Sequence, residues 1–90
     1  MILMTSDMPG VTEQDYERLA SALLSSLRAS DGFISHAAGP VDGGYRVTEL
    51  WDSEESHRAW FETNVLPTLP PEAPAPIIST QAITTIASRD

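Results

Sequence analysis

The chain has no cysteine, no lysine and no long apolar run. Without cysteine, disulfides and thiolate metal sites are excluded. The two histidines, His36 and His57, lie far apart and on different predicted elements, so no metal-ligand spacing is present and no metal is expected. A membrane-crossing helix would need about 20 consecutive apolar residues, which the sequence does not contain. Five arginines stand against thirteen acidic residues, a net charge of −8. That charge repels phosphate backbones and anionic bilayers, so neither nucleic acid nor membrane is an expected partner. No basic segment followed by an apolar run opens the chain, and a cytoplasmic location is the expectation. Absence of lysine beside abundant Arg, Ala and Pro suggests a GC-rich genome and, from there, a secondary-metabolism setting.

What is present is 90 residues with helix and strand periodicities in a clear order. One domain over residues 1–90 is expected, small enough that burial against a second copy would help it. Met1 to Ser6 reads as a strand, and Asp7-Met8-Pro9-Gly10 as a loop. Thr12 with Asp15 three residues on forms a capping box for a helix. Tyr16, Leu19, Leu23 and Leu27 make its apolar stripe, and Asp31-Gly32 stops it. Phe33 to Gly39 is the second strand and Tyr45 to Trp51 the third. Asp42-Gly43 between them suits a type I′ hairpin turn. Asp52 with Glu55 opens a second helix whose inward stripe is His57, Trp60, Phe61, Asn64 and Val65. Five of the seven prolines fall between Pro67 and Pro76, an expected Pro-rich connection. Ile77 to Ala87 reads as the last strand.

The order β-α-β-β-α-β predicts an α+β, ferredoxin-like domain: a four-stranded antiparallel sheet with two helices on one face. The strands alternate poorly between apolar and polar, and the first looks apolar on both sides. The sheet face away from the helices therefore calls for a cover. A second copy would supply it, giving a homodimer with a barrel-like interior.

The run Gly39-Pro40-Val41-Asp42-Gly43-Gly44-Tyr45-Arg46-Val47, continued by Glu49-Leu50-Trp51-Asp52-Ser53-Glu54-Glu55 and an aromatic helix, resembles the dimeric α+β barrel superfamily. Within it the chain is most similar to the antibiotic-biosynthesis-monooxygenase-like group. The resemblance covers nearly the whole chain. It implies a dimeric α+β barrel and activities such as cofactor-free oxygenation or cyclisation of aromatic polyketides. Haem degradation also occurs in such families, but neither histidine has an evident haem-ligand context, and no cofactor is expected.

A two-residue turn at Asp42-Gly43 sets the hairpin register by counting. Val41 then faces Gly44, Ala38 faces Val47, His36 faces Glu49 and Ile34 faces Trp51. A four-residue turn from Pro40 to Gly43 would displace the pairs but keep His36 and Glu49 on one face. If that face is the uncovered one, it lines the barrel interior with one imidazole and one carboxylate among apolar groups, as small-molecule pockets do. His36 and Glu49 are the candidate catalytic pair: the carboxylate orients the ring, and the ring removes a phenolic or α-carbonyl proton. The alternative is a plain cross-strand ion pair. Ile34, Tyr45, Val47 and Trp51 are candidate substrate-binding residues, with packing as their alternative. His57 reads as a capping or interface residue, and Arg46 as solvated. No nucleophile elbow, phosphate loop or dinucleotide fingerprint is present. The expected partners are thus a second copy and a small apolar or aromatic ligand. The function is a cofactor-independent monooxygenase or cyclase, or a non-catalytic ligand-binding or accessory protein.

Overall fold

A computed structural model of the chain describes residues 1–69, 71–72 and 74–89. Its elements follow the expected order. They are β1 (Ile2–Pro9), α1 (Glu13–Arg28), β2 (Phe33–Val41), β3 (Gly44–Trp51), α2 (Glu54–Trp60) and β4 (Ile77–Ala82). A π-turn (Phe61–Val65) and a 3₁₀ turn (Leu66–Thr68) extend α2. Within the Pro-rich connection, Pro70 and Ala73 lie outside the described residues. The strands form one antiparallel sheet in the order β2-β3-β1-β4. This is the α+β, ferredoxin-like arrangement that the element order predicts.

Local chemistry sets the element ends. Thr12 and Asp15 form the reciprocal capping box, each side chain satisfying the other's backbone N–H. Those bonds also hold the Asp15 carboxyl below its ordinary range. At α2 the cap is Ser53 rather than Asp52. The Ser53 hydroxyl accepts from the Ser56 amide, and Asp52 sits one residue outside, bonded to the Ser56 side chain. Gly32, at φ +84°, follows α1, and a Cβ there would strike the Asp52 carboxylate.

β1 runs three residues beyond its expected end. Asp7, Met8 and Pro9 pair with Arg46, Tyr45 and Gly44, and Asp7 also pairs with Ile77. The Arg46 guanidinium donates to the Asp7 carboxylate at 2.6 Å, so Arg46 is paired rather than merely solvated. The hairpin register places Val41 opposite Gly44, Ala38 opposite Val47 and His36 opposite Glu49, as counted. The turn is not type I′, because Gly43 alone has positive φ (78°). β4 stops at Ala82, after which the Ile83 amide donates to the Met1 carbonyl.

Alternation is clean once the faces are seen. Met4, Ser6, Tyr45, Val47, Glu49 and Trp51 are buried on one side. Leu3, Thr5, Asp7, Arg46, Thr48 and Leu50 point to the other. The helices cover the first side: Tyr16 of α1 stacks on Tyr45, and His57 and Trp60 of α2 pack against Trp51. Leu27, Trp51, Trp60 and Val65 form the main core cluster. The His36–Glu49 face therefore lies beneath the helices, not toward a barrel interior shared with a second copy. The expectation of an uncovered pocket face is corrected accordingly. Tyr45 and Trp51 carry the largest apolar area on β3, and that area is buried where the chain already supplies a cover.

Candidate functional site

Between the helices and the sheet lies a cavity of about 80 Å³, lined mainly by apolar side chains from β1, α1, α2 and the turns after it. Its polar groups are few: Ser6, Tyr16, His36, Glu49 and His57.

Glu49 is the centre of this group. It points inward from β3 and is only 2% exposed. Its Oε2 lies 2.7 Å from His36 Nδ1, across the β2–β3 ladder. Its Oε1 accepts from Trp51 Nε1 at 3.0 Å. Trp51 is two residues on and so on the same face of the strand. A carboxylate can only accept, so His36 Nδ1 carries the hydrogen it donates to Glu49. In the neutral ring His36 Nε2 is then a lone-pair acceptor. The Tyr16 hydroxyl sits 2.6 Å from that nitrogen and donates to it. Removal from water, with Tyr45 and the Glu49 charge adding, raises the Tyr16 pKa, so the phenol is held neutral. Tyr16, His36, Glu49 and Trp51 thus form one continuous hydrogen-bonded chain.

Tyr16 was not singled out in the sequence except as the first member of an apolar stripe. Its phenol stacks on the Tyr45 ring, with centroids 4.7 Å apart, and lies nearly parallel to the His36 ring. The available signal was its place as the lone aromatic of that stripe, one turn from the cap, where a hydroxyl can reach beyond the helix.

The other candidates separate. Val47 lines the cavity. Tyr45 and Trp51 do not line it; they back Tyr16 and Glu49 from behind. Ile34 does not join the site: it is 47% exposed. A β-bulge between Phe33 and Ser35 puts Phe33 opposite Trp51 and pushes Ile34 outward. Phe33 meets Trp51 edge to face at 5.5 Å. Asn64 turns away from the cavity and donates to the Trp60 carbonyl at the start of the π-turn.

His57 lies on the opposite side of the group. It is 5% exposed, edge-on to Trp51 at 5.6 Å and tilted against Phe61 at 6.0 Å. Burial lowers its pKa from the ordinary 6.5, against the opposing pull of Glu49 and Glu54, so the ring is neutral.

These features define an α+β, ferredoxin-like domain with an apolar cavity open at its mouth and a largely buried polar chain in its wall. The antibiotic biosynthesis monooxygenase family model matches residues 4–66, and the chain belongs to that family. No curated protein matches it closely enough to count as a relative. Among solved structures it is similar to MhuD, a heme-degrader of Mycobacterium tuberculosis, with two hemes in its active site. That likeness has a TM-score of 0.60 and 18% identity, over 98% of this chain and 100% of the other. A MhuD variant with two manganese protoporphyrin IX molecules per active site gives 0.61 and 18%, over 98% and 99%. A Bacillus cereus protein assigned to the antibiotic biosynthesis monooxygenases gives 0.55 and 15%, over 100% and 98%. At these identities the likeness is one of fold.

A tetrapyrrole does not fit the cavity as it stands. Sites for drug-sized ligands start near 300 Å³, a porphyrin is larger still, and this space is about 80 Å³.

Proposed function

We propose that the chain binds a compact aromatic metabolite in the cavity beneath its helices and acts on it as a cofactor-independent monooxygenase or cyclase. The observation that carries this is the hydrogen-bonded chain from Tyr16 through His36 to Glu49, ending on an apolar space. His36 is the proton acceptor and Glu49 the group that orients it and stabilises the imidazolium that forms. Tyr16 stands between His36 and the ligand. A phenolic or enolic ligand passes its proton to the Tyr16 oxygen as Tyr16 passes its own to His36 Nε2. The ligand is left as an anion and the protein holds an imidazolium–carboxylate pair. In the oxygenase branch, dioxygen is the second substrate. The carbanion transfers its electron pair to oxygen, a C–O bond forms, and the peroxide takes back the proton from His36. Loss of water from a peroxide on a CH carbon then leaves a carbonyl. In the cyclase branch the same carbanion attacks a carbonyl within the ligand, a C–C bond replaces the carbonyl π bond, and the alkoxide formed takes back the proton from His36.

One observation favours a purely ligand-holding protein. Both ring nitrogens of His36 and both oxygens of Glu49 already have partners, as a structural network requires. The test is turnover of single-ring phenolic and quinol substrates by the wild type, His36→Gln and Glu49→Gln, with ligand binding followed separately. A loss of about a hundred-fold or more in turnover, with binding kept, supports catalysis. Unchanged turnover in either variant removes the catalytic assignment and leaves the holding role.

A homodimer accompanies this reading. The sheet face away from the helices carries Leu3, Leu50 and Ile77 among small and polar side chains, with Ile34 exposed beside them. Uncovered apolar groups on a flat sheet favour pairing with a second copy. Light scattering should give twice the chain mass, and Leu50→Lys should halve it. A monomeric wild type at micromolar concentration would end this part.

A further inference from the structure

We infer that His57 is a second polar anchor of the cavity, and that the site takes a neutral single-ring aromatic carrying two hydroxyl or carbonyl groups. This rests on the cavity being a ligand site, as proposed above. A histidine buried in a core is ordinarily satisfied by hydrogen bonds. His36 is: its two nitrogens meet Tyr16 and Glu49. His57 is more deeply buried, yet among the described residues its ring makes no side-chain hydrogen bond and packs on the Trp51 and Phe61 rings. Every fully enclosed side-chain nitrogen and oxygen among the described residues does have a partner, so the His57 nitrogens keep some access to open space. The ring lines the same cavity as Tyr16 and His36, and also borders an outer hollow beside Glu54 and Arg58. A neutral imidazole offers one N–H and one lone pair, so His57 can donate to a carbonyl or accept from a hydroxyl.

Three further observations narrow the ligand. The space, about 80 Å³, is smaller than the roughly 150 Å³ of an apolar cavity that holds benzene, so a single ring seated partly in the open mouth is the most it takes, and a fused system is not accommodated. Its lining is apolar and aromatic, which suits a ring face. Glu49 already places a carboxylate in the wall, the chain is strongly acidic, and no arginine is among the described lining residues, so an anionic ligand would meet repulsion there. A neutral quinol or hydroxylated phenone satisfies all three. One of its polar groups engages Tyr16, and the other engages His57.

Binding of hydroquinone, resorcinol and phenol is measured by calorimetry under argon, where no turnover intervenes. The proteins are the wild type, His57→Phe and His57→Gln. Phe keeps the packing on Trp51 and Phe61 but has no hydrogen-bonding atom, and Gln keeps a donor and an acceptor. Thermal unfolding first establishes that each variant is folded. At least one diol should bind the wild type about two- to twelve-fold more tightly than phenol does, the range that one hydrogen bond supports. His57→Phe should lose that margin and His57→Gln recover part of it, while phenol binds all three alike. Nitrogen-15 signals of the His57 ring should move on addition of the diol. If His57→Phe binds both diols as the wild type does, or the His57 signals stay fixed while those of His36 move, the second anchor is wrong and the cavity reading stands. If no probe perturbs any cavity residue, both fall.

Discussion

His36 and His57 face the same cavity from regions of opposite character. His36 sits on the edge strand β2, partly open, and is tied at both nitrogens. Its orientation and tautomer are dictated by Tyr16 and Glu49. His57 sits on α2 among aromatic rings, nearly enclosed, and packing rather than a side-chain hydrogen bond holds its ring among the described residues. The same side chain is thus fixed by two hydrogen bonds in one region and is an uncommitted donor and acceptor in the other. Burial alone does not distinguish a structural histidine from an available one; the state of its nitrogens does. Trp51 belongs to both regions, because its N–H fixes Glu49 and its ring face walls His57.

The largest break in this contrast comes from removing what the two regions share. Trp51 is completely buried, so Trp51→Ala should cost about 3–5 kcal/mol of stability by urea unfolding. It should also disturb both histidines in nitrogen-15 spectra. A cost below about 1 kcal/mol would show that the two regions do not depend on this ring. Glu49→Ala breaks one region only. It leaves the Trp51 N–H and His36 without their acceptor and should cost about 1–3 kcal/mol. The His36 tautomer should change while the His57 signals hold. Equal changes at both rings would erase the distinction. The smallest effect is a pH difference. Burial depresses the His57 pKa below 6.5, so below that value the unfolded chain binds more protons than the folded one. Stability is then full above pH 6.5 and falls as the pH drops below it. Glu49, Glu54 and Arg58 are the charged groups that act on the ring. His57→Phe removes only the ring's own contribution, so its stability should fall less than the wild type's between pH 7 and 5. Parallel curves would mean that His57 is not held neutral by burial.

Much of this arrangement was legible in residues whose neighbours are local. Thr12 and Asp15 announce the α1 cap because a capping box needs only adjacent turns. The His36–Glu49 pairing follows from counting across Asp42-Gly43, which is again a local constraint. The choice of covered face was not legible in the same way. Alternation along β3 puts Tyr45, Val47, Glu49 and Trp51 on one face, as found, but the sequence of Met1 to Ser6 reads as apolar on both sides. Thr5 is the single polar residue on the outer face of Met1 to Ser6, and Asp7 joins it only once β1 is extended past Ser6. The bulge at Ile34 also escaped, because it depends on Phe33 turning to meet Trp51 across the sheet. Tyr16 was missed for a related reason: helical spacing reports which way a residue points, not what its hydroxyl reaches.

The depth of Glu49 has a consequence for conditions outside the cell's usual range. The ion pairs of Arg46 with Asp7 and Arg58 with Glu54 are in contact with solvent, and added electrolyte weakens such pairs. The Glu49 charge is sheltered from mobile ions, so its pull on His36 should persist in brine. As salt rises, the molecule's outer charges fall silent while the field at its centre is retained.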